Sequence, residues 1–417
     1  MFHYYRKTAA PAGTLHKGAS WLALLGLSFG LGGCLLSGLL LQHEYSYDRY
    51  HEHADALYRV NALVATTAGT PEHQATTTPT LARQLRESLP GIANVTRVVH
   101  PPATLEHLLR HGDRTFLERG GVLADATYFT MFTYQFLAGN PRTCLREPSS
   151  VVLTEPLARK LFGETLGLNS TITVSDGLGT YDFHVTGIVA EPDQPTHLEA
   201  RFFMSINSPG WGALLDSVQR AASAPVIYSY LRLDEDMPRE TLEASLPDFL
   251  QQAATTDPTL TTLQALYLQP IRDIHLSADF AQSAPQVRYV YLLFFFLAGT
   301  AAIAVTSAVY LVRHQQRQLD PQSATSRQVA GELMQILGLA LVLGYGLVEL
   351  ALPLFHPHPA PLLALTSAGW PLYPLVAGML ALSGGLLTGH MPWLLFPTFH
   401  DLALVQRPET VSPVVRA

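Results

Sequence analysis

Apolar and polar positions are sharply segregated along this chain. From Gly18 to His43, from Tyr289 to Val312 and from Leu350 to His400 there is no Lys, Arg, Asp or Glu. The stretch from Glu44 to Arg288 holds 18 basic and 28 acidic residues. A helix crossing a bilayer core of roughly 30 Å needs about 20 apolar residues. The pattern predicts spans at 20–41, 289–312, 333–352 and 370–388. The second opens on Tyr289 and Tyr291 and closes on Tyr310 and Arg313, as an interface-anchored helix does. The third ends at Pro353 and is bracketed by Glu332 and Glu349 at headgroup depth. The expected fold class is an α-helical membrane protein with four transmembrane helices and a large α+β extracytoplasmic domain, residues 42–288, inserted between helices 1 and 2.

Basic residues next to the spans set the orientation. Arg6, Lys7 and Lys17 precede the first span, and Arg313, Arg317 and Arg327 lie between the second and third. Segments 1–19, 313–332 and 389–417 are therefore expected in the cytoplasm, with both termini inside. Residues 42–288 and the 353–369 loop face outward. Leu31-Gly32-Gly33-Cys34 resembles a lipoprotein cleavage box, but the chain stays apolar through Leu41, which favours an uncleaved span over a lipidated Cys34.

Within the polar block, Leu81, Leu85 and Leu89 share one face of a helix predicted at Thr78–Ser88, and a second helix is predicted at Pro156–Phe162 with Thr154 as its cap. Apolar, β-rich runs at Ser150–Leu153, Thr171–Val174, Phe183–Val189, Ile227–Leu233 and Ala265–Leu268 predict strands. The mix reads as an α+β domain in two lobes.

Composition excludes several classes. A net charge of −7, with ten more acids than bases in the polar block, removes the basic surface that nucleic acid requires. Cys34 and Cys144 are the two cysteines and lie in different media, so no disulfide holds the fold. No G-x-x-x-x-G-K-[ST] loop occurs, so any ATP-driven work needs a partner. Gly26-Leu-Ser-Phe-Gly30 matches a nucleophile pattern but sits inside an apolar helix, where Gly26, Gly30, Gly32 and Gly33 instead permit close helix packing. His43, Glu44, Asp48, His51, Glu52, His53 and Asp55 are the densest set of metal-ligating types, and His51 and Asp55 would share a face if the stretch were helical. Their spacing matches no recognised metal motif, and a solvated helix leaving the membrane is the simpler reading. His356-Pro-His-Pro359 reads as an exposed turn. No cofactor, metal or catalytic group is expected, and the chain is not expected to be an enzyme.

Several stretches resemble one family. Tyr45-Ser-Tyr-Asp-Arg-Tyr-His-Glu-His-Ala-Asp-Ala-Leu-Tyr-Arg-Val60 is similar to the start of a MacB-type periplasmic domain in FtsX-like ABC transporter permeases. So are Ser150-Val-Val-Leu-Thr-Glu-Pro-Leu-Ala-Arg-Lys-Leu-Phe-Gly163, Val185-Thr-Gly-Ile-Val189 and Leu268-Gln-Pro-Ile-Arg-Asp-Ile-His-Leu276. Leu347-Val-Glu-Leu-Ala-Leu-Pro-Leu-Phe355 resembles the end of the family's third span. The resemblance implies an inner-membrane permease of bacteria: a periplasmic domain with two subdomains, a homodimer or heterodimer of permeases among membrane lipids, and a separate cytoplasmic ABC ATPase. The Tyr45–Val60 segment would join span one to the outer domain, and the loop bearing Arg313, Arg317 and Arg327 would face the ATPase. That loop has Asp320 but no Glu-x-Gly, and Pro321 interrupts a helix. The alternative is a scaffold or sensor of this family that has lost ATPase coupling.

Overall fold

Helix α1 (Gly18–Tyr45) carries apolar side chains on every face, so its sequence leaves no stripe for water. The computed structural model describes residues 18–65, 71–100, 106–212, 215, 227–277, 286–318 and 326–355. They belong to two units: one containing residues up to Leu41 and from Tyr291 onward, the other Gln42–Val290.

In the first unit, α1 packs with α6 (Gln286–Gln318) and α7 (Ser326–Phe355). Trp21–Tyr45 and Leu292–Val309 are long and apolar enough to cross a membrane, and Ile336–Ala351 is a shorter apolar stretch within α7. Both later helices overrun the predicted spans. The Arg313–Gln318 flank has helix-forming residues that continue the backbone past the apolar segment. Pro353 was expected to end the third span, yet α7 runs to Phe355. Pro353 forfeits its one N–H donor, and the helix ends two residues later. The fourth predicted span, 370–388, lies outside the described residues, as do the turn at 356–359, Asp320 and Pro321.

The second unit is one mixed sheet with helices on it. Its strands are β1 (Leu57–Val64), β2 (Glu72–Gln74), β3 (Ile92–Val99), β4 (His107–His111), β5 (Arg114–Glu118), β6 (Gly121–Ala124), β7 (Phe136–Gly139), β8 (Ser150–Thr154), β9 (Thr171–Asp176), β10 (Gly179–Val189), β11 (Phe202–Ser205), β12 (Tyr228–Leu233) and β13 (Leu263–Pro270). They run in the order β13-β1-β12-β3-β6-β11-β8-β10-β9-β4-β5, with β2 added to β1 and β7 to β10. Only β6/β11 and β8/β10 are parallel among these pairs. The five apolar runs named from the sequence all lie in strands or at a strand end.

The two expected lobes are halves of this one sheet. One half is covered by α2 (Leu81–Ser88) and α5 (Arg239–Thr256), where Leu81, Leu85, Leu242, Leu246 and Phe249 meet Val60, Leu231 and Leu268. The other is covered by α4 (Glu155–Phe162), whose Leu157 and Leu161 meet Val151, Leu153, Val185 and Phe202. Each fully buried leucine contributes roughly 1.5–3 kcal/mol of transfer free energy, enough to order helices of only eight residues. α5 escaped the sequence reading because Pro247 interrupts it.

A third cluster lies on the opposite face, around α3 (Tyr128–Met131), and draws on both halves through Leu57, Val122, Val152, Phe203 and Tyr230. Between the halves the ladder is short: β3 and β6 pair only at Val98↔Ala124 and Val99↔Leu123. Thr154 is at the N-cap of α4, but its hydroxyl donates to the Arg201 carbonyl (3.0 Å) rather than capping the helix.

Candidate functional site

The stretch after α1 is not a solvated helix. The helix stops at Tyr45, a series of turns follows, a 3-10 turn occupies Ala54–Ala56, and β1 begins at Leu57. His51 and Asp55 therefore share no helical face. The break is local chemistry: Ser46 donates its hydroxyl to the His43 carbonyl (2.8 Å), and Asp48 adopts a left-handed conformation at φ +57°. Asp tolerates this region better than most residues.

That conformation aims the Asp48 carboxylate inward, where it is wholly buried. Oδ1 accepts from the Thr196 hydroxyl (2.6 Å) and the His197 backbone N–H (3.2 Å), and Oδ2 meets His197 Nδ1 at 2.7 Å. The Asp48 N–H in turn donates to the Pro195 carbonyl (3.1 Å). His197 Nε2 lies 2.9 Å from the Tyr230 hydroxyl on β12. An ionised carboxylate only accepts, so Nδ1 of His197 carries a proton. A neutral His197 then accepts from Tyr230, and a charged one donates to it.

Burial alone would push the Asp48 carboxyl upward. The charge of His197 and hydrogen bonds from His197 and Thr196 together outweigh it and hold the group well below the usual carboxylate range. His51 is the second imidazole here. Its Nδ1 accepts from the Thr133 N–H (3.1 Å), which places the proton of the neutral ring on Nε2, 3.6 Å from Asp48 Oδ1. That gap is too long for a good hydrogen bond. Burial lowers the pKa of His51, against the pull of Asp48.

A second contact lies one helical turn earlier. Glu44 Oε2 and His275 Nε2 are 2.7 Å apart, both nearly buried, and the Tyr47 ring stacks on His275 with centroids 3.4 Å apart. Asp55 forms an ion pair with Arg272. The segment leaving α1 is thus tied to residues 272–275, which follow β13, and to residues 195–197, which precede β11.

The sequence-named ligand types disperse to separate partners: Glu44 to His275, Asp48 to His197, Asp55 to Arg272. Among the described residues no three His, Cys, Asp or Glu side chains converge as a metal group. The partners Thr196, His197, Tyr230 and His275 were not singled out as site residues by the sequence. Single polar residues on irregular segments leave no periodic trace, although His275 falls in one of the family-like stretches.

The other named residues lie in the helical unit. A Cβ on Gly30 would fall 2.6 Å from the Ala304 nitrogen, and one on Gly32 would fall 2.8 Å from the Gly344 carbonyl oxygen. Gly26 and Gly33 come equally close to Ser307 and Thr300. Ser28, the serine of the nucleophile-like pattern, donates to the Leu24 carbonyl (2.7 Å) and is buried. Cys34 is buried in unbroken helix, 3.6 Å from the Thr300 hydroxyl. Arg313 and Arg317 are in the last turns of α6 and Arg327 in the first turn of α7. The connection at 319–325 lies outside the described residues.

A family model, the MacB-like periplasmic core domain, matches residues 20–249, more than half of the chain. Comparison with curated proteins returned no match. Among solved structures the chain is similar to a domain from Porphyromonas gingivalis described as part of a permease, at 16% identity, TM-score 0.43, over 59% of this chain and 100% of that one. It is also similar to the periplasmic region of MacB from Actinobacillus actinomycetemcomitans, at 11% identity, TM-score 0.37, over 53% and 91%. A third is the extracellular domain of the noncanonic ABC-type transporter YknZ from Gram-positive bacteria, at 12% identity, TM-score 0.34, over 51% and 99%. The chain belongs to the family with the MacB-like periplasmic core domain. Its α/β domain is a domain of that kind, entered by an apolar N-terminal helix.

Proposed function

We propose, with that membership as premise, that the chain is a permease-like membrane subunit of an ABC transporter system. It passes ATP-driven motion from a separate cytoplasmic ATPase through its spans to the periplasmic domain. The work done there is export, extraction of lipid or lipoprotein, or signalling. The single observation that carries this reading is the Asp48 joint. A span that ended in a loose linker would dissipate any displacement, whereas α1 ends three residues before a buried carboxylate fixed to the sheet domain by four short contacts.

The chain is not the enzyme of such a system, having no P-loop sequence. Its membrane part is an FtsX-type arrangement of four spans, with both termini in the cytoplasm and two permeases side by side. The Arg313–Arg327 segment faces the ATPase. Purification in mild detergent tests this: an ABC ATPase is expected to co-purify, and its turnover to fall when Arg313–Arg327 is replaced. Recovery of no ATPase would sink the transport reading. The second reading, a scaffold or sensor without a motor, is favoured by one sequence observation, the lack of Glu-x-Gly in that segment. It predicts the same domain with no bound ATPase.

A further inference from the structure

The far edge of the sheet is the hairpin β4–β5. Its strands pair in continuous register from His107↔Glu118 to His111↔Arg114 around the two-residue turn Gly112-Asp113, with Gly112 at φ +56°. A turn of this length makes His111↔Arg114 a hydrogen-bonded pair, and pairs then alternate along an antiparallel ladder. The backbone groups of Arg114, Phe116 and Glu118 therefore point at β4, and those of Thr115 and Leu117 point outward. Among the described residues no strand pairs with that outer edge.

The strand is protected only by its shortness and by the charges at its two ends, Arg114 and Glu118. It has no proline and no bulge, and Leu117 is 57% exposed beside its cross-strand neighbour Leu108 at 41%. We propose that β5 is a homotypic edge, pairing antiparallel with β5 of a second copy of this chain about a two-fold axis at Phe116.

The strand fits its own copy in this register. Thr115 falls opposite Leu117 of the second copy, and Leu117 opposite Thr115. All four outward backbone groups of each strand then meet partners, because directly opposed residues of a hydrogen-bonded pair exchange both bonds. Phe116 meets Phe116 in the closer, non-hydrogen-bonded site, where aromatic pairs are favourable. Arg114 falls opposite Glu118 rather than opposite another arginine, so like charges stay apart. Leu117 of each copy lies on the same face, one diagonal step from its counterpart, and the exposed leucines form one stripe. A shift of one residue in the pairing destroys the match, putting like-facing residues on opposite faces.

The test uses the full chain in two tagged forms expressed together, one Thr115→Cys and the other Leu117→Cys, with the membranes then oxidised. Cross-strand partners lie within disulfide reach, whereas like positions sit two residues apart across the axis, beyond the roughly 7 Å limit between Cα atoms. The expected result is a dimer carrying both tags, at least about tenfold above the like-with-like dimer of either variant alone. Equal yields of mixed and like dimers, absence of a mixed dimer, or equal cross-linking through Leu178→Cys at another exposed leucine would each overturn the pairing. Both cysteines replace exposed side chains, so unchanged unfolding midpoints show that the fold is intact in every arm.

Discussion

The exit of α1 and the outer hairpin are opposite designs within one domain. At Asp48 a charged group is buried and its carboxylate satisfied by named partners. At Leu117 apolar side chain and backbone polar groups are both left facing out. A region that must hold one geometry spends polar groups inside, where losing a partner is costly. A region that must accept something keeps its groups on the surface, where substitution is cheap.

Breaking the joint gives the largest expected effect. Asp48→Ala leaves His197, Thr196 and a backbone N–H without their acceptor, and is expected to destabilise the domain by about 3–5 kcal/mol in denaturant unfolding. A loss under about 1 kcal/mol, the range of exposed ion pairs, would reduce the joint to a surface contact. Next is the Glu44–His275 pair. A double-mutant cycle with Glu44→Gln and His275→Ala is expected to give a coupling of about 1.5–3 kcal/mol, the range for hydrogen bonds to charged groups. Additivity of the two would show that the stacked Tyr47, not the charge contact, holds His275.

Acidification sharpens the contrast further. His51 has a lowered pKa in the fold, so below its ordinary 6.5 the unfolded chain takes up the proton first and stability falls as pH drops. Asp48, also lowered, adds its loss when pH falls below its ordinary 3.8. Both contributions are intact at neutral pH. The unfolding free energy should decline from pH 7 to pH 5, His51 contributing a slope of at most about 1.4 kcal/mol per pH unit, and His51→Gln should reduce the decline to the shares of His100 and His107, whose pKa values burial also lowers. An unchanged slope in that variant would assign the titration to another group. The smallest effect belongs to the hairpin: Leu117→Lys should change stability by no more than about 0.5 kcal/mol, yet, placed in the form that carries Thr115→Cys, sharply lower its cross-linking to the Leu117→Cys form.

The same contrast explains what could be read from the sequence. Stretches such as Ser150–Leu153 and Phe183–Val189 announce themselves as apolar, β-rich runs because they cross the covered part of the sheet. Their order in space does not show, since a thirteen-strand arrangement rests on pairings between distant residues. Asp48 was visible as one of a crowd of ligand types, but Thr196 and His197 lie 148 and 149 residues away on an irregular segment. The Tyr45–Val60 stretch looked helical only by continuation from α1. The left-handed turn at Asp48 is a tertiary effect, stabilised by partners that no local pattern announces.

The two-rung ladder between β3 and β6 is reinforced at its end. Arg97 holds Asp125 through its side chain (2.8 and 2.9 Å) and its backbone N–H, and Thr127 donates to the Val95 carbonyl (2.6 Å). Aromatic rings around α3 back the seam from the other face. Few rungs therefore join the halves directly, and the contacts around them carry the rest of the seam. The joint at Asp48 grips both sides of it: β12 through Tyr230, and the run into β11 through Thr196 and His197. The two halves of the sheet are thereby held together at the two rungs, at the Arg97–Asp125 clasp and at the Asp48 joint.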